Sequence, residues 1–170
     1  MLLLPWSNKP RARWRKLQMT DQPVLRPALP ADGPAVVALW KACGLTADYN
    51  PPMCDFDRAL ASPASIVLVL KHAGDLIGSV MVGDDGHRGW IYYLAVSPAH
   101  RNAGLARQLV AAAEVWASER GVRKLQLMIR PSNEVVREVY TRTGYSETPR
   151  LVMAKWLDNE MAANPPSDRS

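Results

Sequence analysis

Hydrophobic residues follow a strand-like pattern in the middle of this chain. Three short apolar runs lie at Ser65–Lys71, Leu76–Val82 and Gly89–Val96. The connections between them contain Ala73-Gly74-Asp75 and Gly83-Asp84-Asp85-Gly86, residues that tight turns favour. Consecutive strands joined by tight turns pair antiparallel, so this region predicts a three-stranded meander.

The pattern becomes helical from Gly104 onwards. Apolar residues then recur at helical spacing up to Gly121, at Leu105, Leu109, Ala112, Ala113 and Trp116. After that helix, residues 124–130 alternate apolar and polar side chains as a strand does. A strand, a helix and a second strand in this order predict a parallel pair with a right-handed crossover.

Further elements are predicted before the meander. Residues 24–29 have the pattern of a strand, and a helix begins with Asp32 as its N-cap and ends at Gly44. The segment 45–53 contains two successive prolines and is expected to be irregular. A short helix is predicted over residues 55–62.

The chain after residue 130 predicts one more helix and one more strand. Pro131-Ser132-Asn133 opens the helix, and Gly144 ends it. Residues 151–157 are predicted as a last strand, whose edge could pair two subunits in a homodimer. Together the elements predict a mixed α/β domain over residues 23–158, with a mostly antiparallel sheet flanked by helices.

The net charge of +5 is concentrated at the start of the chain. Residues 1–22 carry a surplus of four positive charges, and the rest of the chain is nearly neutral. We expect this extension and residues 159–170 to be disordered. Alternatives for the extension are a partner or surface contact, a start at Met19, and a nucleic-acid arm in which Trp6 and Trp14 stack on bases. The near-neutral body argues against nucleic acid as the partner.

The two cysteines indicate neither a metal site nor a disulfide framework. Cys43 and Cys54 have no histidine beside them at a zinc-binding spacing. We therefore expect free thiols and no metal, which fits the cytoplasm. The apolar residues Leu2–Leu4 are too few for a signal-peptide core or a membrane span, so no membrane partner is expected.

The most informative stretch connects the last strand of the meander to the helix that starts at Gly104. The apolar run ends at Ser97-Pro98, and a short loop carries Arg101. The first N–H groups of a helix have no partner within it, and the helix dipole adds partial positive charge there. A phosphate or pyrophosphate is the natural ligand of such an arrangement. The alternative is an ordinary loop before a helix.

This stretch has the form of a known motif. Residues 96–106, VSPAHRNAGLA, resemble the acyl-CoA motif V-x-P-x-x-R/Q-x-x-G-x-G/A of the GCN5-related N-acetyltransferase (GNAT) family. Ala106 stands where a second glycine is commoner. The resemblance continues downstream at Asn133, Tyr140 and Gly144-Tyr145, which match the family's N…Y…G-F/Y element.

The resemblance covers roughly residues 24–157. Within the family, the small bacterial acetyltransferases of the YpeA type are the most similar, as judged from Gly86–Gly89 and Leu39–Cys43. It implies the acyl-CoA N-acyltransferase fold and acetyl-CoA as the acetyl donor. The residues that it implies for cofactor binding are Leu94, Ala95, Val96, Arg101, Asn102, Ala103, Gly104, Leu105, Ala106, Asn133 and Tyr140.

The family's chemistry implies roles for some of these residues. The backbone of Leu94–Val96 would bind the pantetheine arm and orient the thioester carbonyl. Tyr140 resembles the tyrosine that protonates the departing thiolate, and the alternative is a buried structural tyrosine. Asn133 resembles the family's asparagine near the cofactor, and it could instead serve only as a helix N-cap.

The general base is less defined than the acid. Asp84, Asp85 and His87 cluster at the turn that leads into the third strand of the meander. For Asp84 ordinary turn chemistry is the better interpretation. His87 has a suitable intrinsic pKa, so His87 and Asp85 are the candidate bases, and a surface role is the alternative for His87.

These observations predict an N-acetyltransferase in which a primary amine of a small molecule or peptide attacks acetyl-CoA directly in a ternary complex. A covalent acyl-cysteine route is disfavoured because Cys43 and Cys54 lie far from the motif in sequence and lack a paired base. The alternative function is a non-catalytic acyl-CoA-binding or regulatory module.

Overall fold

The computed structural model describes residues 22–163. The predicted extension over residues 1–22 therefore lies outside the described residues except for Gln22, and so do Trp6, Trp14 and Met19. The predicted tail is described only over Asn159–Ala163, which form a short helix, and residues 164–170 lie outside the described residues.

A five-stranded sheet forms the centre of the fold, with the strands in the order of the sequence. Its first four strands are antiparallel neighbours, and the fifth is parallel to the fourth. This mixed, mostly antiparallel sheet agrees with the predicted fold class. The strands are β1 (Val24–Pro27), β2 (Ser65–His72), β3 (Asp75–Asp84), β4 (Gly89–Val96) and β5 (Leu125–Gln126).

Helices cover both faces of the sheet and enclose two apolar cores. The core on one face joins α1 and α2 to β2 and β3 and contains Trp40 and Phe56. The core on the other face joins α3 and α4 to the same strands and contains Leu109 and Tyr140. The helices are α1 (Gly33–Ala42), α2 (Pro52–Ala61), α3 (Leu105–Glu119), α4 (Glu134–Arg142) and α5 (Asn159–Ala163).

The central strands are apolar on both sides because both faces are covered. Residues Val67–Leu70 of β2 and Ile77–Val82 of β3 are continuously buried. Each Val, Leu or Ile buried in this way contributes about 1.5–3 kcal/mol relative to an exposed side chain. Within the described residues no helix has the length and apolar content needed to cross a bilayer.

Two predicted strands differ from the structure. The strand predicted over residues 124–130 is reduced to Leu125–Gln126, because β5 pairs with β4 only at Gly89 and Trp90. The strand predicted over residues 151–157 is not formed in the structure. With so short a β5, no strand edge lies beside this segment, and Leu151 and Leu157 are more than four-fifths exposed. The edge expected to support a homodimer is therefore not formed.

The boundaries of two other elements also differ from the prediction. β1 ends at Pro27 instead of residue 29. The helix predicted over residues 55–62 begins earlier, at Pro52, within the segment expected to be irregular. Proline is well suited to the first position of a helix, because its missing N–H would have no partner there.

Asp32 is the N-cap residue of α1 as predicted, but its side chain does not cap the helix and forms a buried ion pair instead. It lies in a 3₁₀ turn, and its carboxylate receives the Arg26 guanidinium in a bidentate contact at 2.7 and 2.9 Å. The Leu29 backbone N–H also donates to it, and the Lys71 ammonium lies at 3.7 Å. The Arg26 hydrogen bonds are the main reason that the pKa of Asp32 falls to about 2. This contact ties β1 and β2 to the start of α1.

Replacing Asp32 with Asn is expected to lower the free energy of unfolding by about 2 kcal/mol at pH 7, because the ion pair that depresses the pKa is lost. The depressed pKa stabilises the fold above the ordinary pKa of a carboxyl, and this stabilisation disappears as the pH falls through about 2. Urea unfolding between pH 7 and pH 2 should show wild type and variant converging in acid. Asp57→Asn, an exposed aspartate of α2, is the control and should change the stability little.

Candidate functional site

One edge of β4 is open along most of its length. On one side β4 pairs with β3 as far as Val96. On the other side it pairs with β5 only at Gly89 and Trp90. From Ile91 to Val96 no strand of the described residues lies along that second edge, so its backbone N–H and C=O groups can bind a ligand in an extended form.

A β-bulge interrupts β4 in the middle of this open stretch. Ser79 pairs with Ala95 and Met81 with Tyr92, so Val80 alone faces both Tyr93 and Leu94. Tyr93 has a left-handed backbone with φ of 50°, which costs a tyrosine roughly 1–2 kcal/mol. As a result Tyr92 and Tyr93 both point to the α1–α2 face.

The bulge is held by a buried aromatic support. The Tyr93 ring stacks on Trp40 with the ring centroids 4.0 Å apart and the planes 14° apart. The Trp40 indole N–H donates to the Ser79 hydroxyl at 3.0 Å, and both side chains are fully buried. Trp40 therefore lies beneath Tyr93 and supports it.

The chain after β4 forms a turn that presents backbone N–H groups. A 3₁₀ turn at Pro98–His100 is followed by Asn102 and Gly104, both left-handed with φ of 63° and 75°. Gly104 is the N-cap of α3, and no side chain caps the helix or places a negative charge in its first turn. The first N–H groups of α3 thus have no acceptor within the helix, and Arg101 is exposed beside them. This arrangement suits an anion.

Tyr140 and Asn133 lie on α4, on the α3 side of the sheet. Tyr140 is buried in the same apolar cluster that Leu94 and Val96 pack against, and its ring meets Tyr145 edge-on. Burial raises the pKa of Tyr140 above its usual range, so its hydroxyl stays protonated at neutral pH. The Asn133 side chain accepts a hydrogen bond from the Val136 N–H at 3.3 Å and therefore caps α4.

Cys43 lies much closer to the motif than its sequence position indicated. Its thiol donates to the Val96 carbonyl oxygen at 3.4 Å, from the end of α1. Cys43 is therefore distant from the motif in sequence but in contact with it in the fold. Within residues 22–163 no base is hydrogen-bonded to the thiol, so the absence of a paired base still disfavours a covalent route. Cys54 is exposed.

Asp85 and His87 lie in the exposed hairpin turn before β4. The Asp85 carboxylate accepts from the backbone N–H of Arg88, from that of His87 and from the Trp90 indole N–H at 2.6–2.9 Å. These hydrogen bonds lower the pKa of Asp85 to about 2, so it is a weak base. Asp84 accepts from the Gly86 N–H, which is turn chemistry as expected.

The structure does not bring these turn residues next to the Leu94–Val96 part of the open stretch. At about 3.3 Å per residue, the turn lies about 15 Å along the strand from Leu94. The structure does place Leu105 of α3 and Tyr140 of α4 in one apolar cluster, against which Leu94 and Val96 of β4 pack.

Sequence reasoning missed one polar group that does reach the bulge. Asp55, in the first turn of α2, accepts the Tyr93 hydroxyl at 2.6 Å and the Asn50 amide at 2.5 Å. Burial and then the Asp55 carboxylate raise the pKa of Tyr93 above its usual range. No local motif signals this contact, because an aspartate at the start of a helix is ordinary.

Known proteins resemble both the sequence and the fold. Residues 34–145 match the model of the acetyltransferase (GNAT) family. An acetyltransferase of Pectobacterium atrosepticum is 37% identical over 126 residues, which are 74% of this chain and 89% of that protein. An acetyltransferase of Sodalis glossinidius is 39% identical over 110 residues, 65% of this chain and 78% of its own.

Solved structures resemble the fold at lower identity. The aminoglycoside acetyltransferase AAC(6')-Iy, in complex with a bisubstrate analogue of coenzyme A and acetylneamine, has a TM-score of 0.70 and 20% identity, and the match covers 79% of this chain and 98% of that one. The aminoglycoside 6'-N-acetyltransferase AAC(6')-IG from Acinetobacter haemolyticus has a TM-score of 0.68 and 21% identity, with 79% and 99% covered. The fold is therefore that of this family. Since the family model also matches more than half of the sequence, the chain belongs to the GNAT family of acetyltransferases.

Proposed function

We propose that the protein transfers the acetyl group of acetyl-CoA to a primary amine of a small molecule or peptide, by direct attack in a ternary complex. The observation that carries this proposal is that α3 begins without a side-chain cap and follows the open edge of β4 in the chain after one short turn. Acetyl-CoA supplies an activated acyl group as a thioester when it is bound. The residues present fit such a ligand, because one end of the site suits an anion and the other suits an extended chain.

The donor is held mainly by backbone groups. The N–H groups at Asn102–Ala106 and the side chain of Arg101 bind the pyrophosphate. The open edge at Leu94–Val96 hydrogen-bonds the pantetheine arm and orients the thioester carbonyl for attack. Asn133 uses its carbonyl oxygen to cap α4, which leaves its amide N–H₂ group for the cofactor.

Tyr140 acts as the general acid. As the amine nitrogen bonds to the acetyl carbon, the carbon–sulfur bond breaks and its electron pair goes to sulfur. The Tyr140 hydroxyl donates its proton to that sulfur, and the ammonium proton of the product leaves to a base. Burial raises the pKa of Tyr140, so its hydroxyl carries a proton before the carbon–sulfur bond breaks.

The demand for a base depends on the acceptor. Neutralising a lysine-type amine at pH 7 costs roughly 4.6 kcal/mol, whereas an α-amine costs about 1 kcal/mol. His87 and Asp85 remain the bases predicted from the sequence. Their position in the hairpin turn favours a role through water instead of direct contact with the amine.

Gly104→Ala is expected to weaken acetyl-CoA binding about tenfold or more, because the left-handed N-cap disfavours a side chain there and the first N–H groups of α3 are re-aimed. Gly121→Ala is the matched control, since Gly121 has nearly the same φ, 76° against 75°, and lies at the far end of α3. In neither case does the added Cβ meet an atom within 4 Å.

Both variants should lose about 1–2 kcal/mol of unfolding free energy, since each places alanine in the left-handed region. Only Gly104→Ala should change the Kd for acetyl-CoA in isothermal titration. Equal affinity losses in the two variants would contradict the assignment of the donor to this turn, and absence of binding by the wild-type chain would contradict the proposed function.

Tyr140→Phe is expected to lower kcat about 100-fold or more with little change in acetyl-CoA affinity, because only the proton donor is removed. Thiol release with an amine panel measures kcat, and titration measures affinity. Tyr145→Phe is the control: it removes a hydroxyl beside Glu114 and keeps the ring that packs against Tyr140, so the variant should keep its activity. A Tyr140→Phe enzyme with wild-type kcat would remove Tyr140 from the mechanism.

A further inference from the structure

Asp55 lies at the boundary between α2 and the bulge of β4. Its Oδ2 atom accepts hydrogen bonds from the Tyr93 hydroxyl and the Asn50 amide. Tyr93 directly precedes the Leu94–Val96 stretch that we assign to the donor. A single side chain thus links the Asp55 carboxylate to the part of β4 where acetyl transfer is proposed.

The negative charge of Asp55 has no cationic partner within residues 22–163. Both of its hydrogen-bond donors are neutral, and no Lys, Arg or His side chain forms an ion pair with it. Asp32 differs, since Arg26 and Lys71 both lie against it. A half-buried carboxylate is costly without a counter-charge, so Asp55 favours a positively charged ligand.

Aromatic rings border the same position. Tyr93 is half-buried, and Tyr49 lies near enough to contribute to the raised pKa of Tyr93. The Tyr49 ring in turn meets Trp156 edge-on, with centroids 5.2 Å apart. The faces of aromatic rings beside a carboxylate attract an alkylammonium group. The chemistry of this position therefore selects a cation.

The bulge also separates this position from the donor. Tyr92 and Tyr93 point to the α1–α2 face, whereas Leu94 and Val96 pack on the α3 side. An acceptor that reaches the open edge from the α1–α2 face would therefore approach on the side of the sheet where Asp55 contacts Tyr93.

We propose that Asp55 binds an ammonium group of the acceptor other than the amine that is acetylated, and so selects acceptors with at least two amino groups. This inference rests on the proposed function. A carboxylate stabilises the charged form of an ammonium beside it, whereas attack on a thioester requires a neutral amine. Asp55 is therefore a specificity-determining residue, and the reacting nitrogen lies elsewhere.

The test compares linear α,ω-diamines of increasing length with the monoamines in which a methyl group replaces one ammonium. Each amine is titrated calorimetrically into the full chain, with and without coenzyme A. The wild type should bind the best diamine about tenfold to 100-fold more tightly than its monoamine, the range expected for a hydrogen bond to a charged group. Asp55→Asn should remove this preference and leave coenzyme A affinity unchanged.

Asp57→Asn is the matched control, an exposed carboxylate two residues along the same helix, and it should keep the preference. Tyr93→Phe keeps the stack on Trp40 but removes the donor to Asp55, so it should reduce the preference partly. It also serves as the second variant if Asp55→Asn does not fold.

Equal affinities for diamines and monoamines in the wild type, or a preference that survives in Asp55→Asn, would overturn the inference. An unchanged preference in Tyr93→Phe would do so if Asp55→Asn cannot be prepared. Loss of coenzyme A binding by the wild type would count against the proposed function instead, because the amine titrations without coenzyme A are measured independently.

Discussion

The site depends on the early separation of β5 from β4. A strand inside a sheet has all its backbone groups paired, and such a strand cannot bind a ligand through them. Here β5 pairs at only two residues, so the rest of β4 keeps one free edge while β3 holds the other. The same separation explains why the segment after α4 finds no strand to pair with. The end of β4–β5 pairing at Trp90 thus leaves the edge of β4 open and also limits the sheet of the described residues to five strands.

The bulge in β4 can persist because two separate apolar cores pack against opposite faces of the strand. Its left-handed tyrosine costs free energy, and the fully buried Trp40–Ser79 contact beneath it limits the ways in which the strand could relax. One extra residue then changes which face successive side chains occupy. Without the bulge, Tyr93 would face α3, and the Asp55 contact could not form.

The sequence predicted the elements whose signals are local. The meander follows from glycine and aspartate turns, α3 follows from its apolar spacing, and the N-terminal turn of α3 follows from Pro98 and Gly104. The segment 151–157 is apolar at every position except Lys155, as a strand can be, but strand formation needs a partner edge, and a single segment carries no information about that edge. Asp32 shows the same limit, because its position suited an N-cap while Arg26 and Lys71 were brought to it by β-sheet pairing.

The sequence indicates the proposed donor half of the site more clearly than the proposed acceptor half. The reason is that backbone groups form the first half and side chains form the second. The proposed donor half consists of backbone N–H and C=O groups, and these need glycine, proline and a helix start within about ten consecutive residues. The proposed acceptor half consists of side chains from α2 and β4, and the Asp55–Tyr93 contact joins positions 38 residues apart. A backbone site leaves a contiguous motif that survives substitution of most side chains. A site made of side chains leaves no contiguous motif, and the replacement of one side chain can change the ligand that it binds. Proteins that share a donor motif can therefore differ in their acceptors.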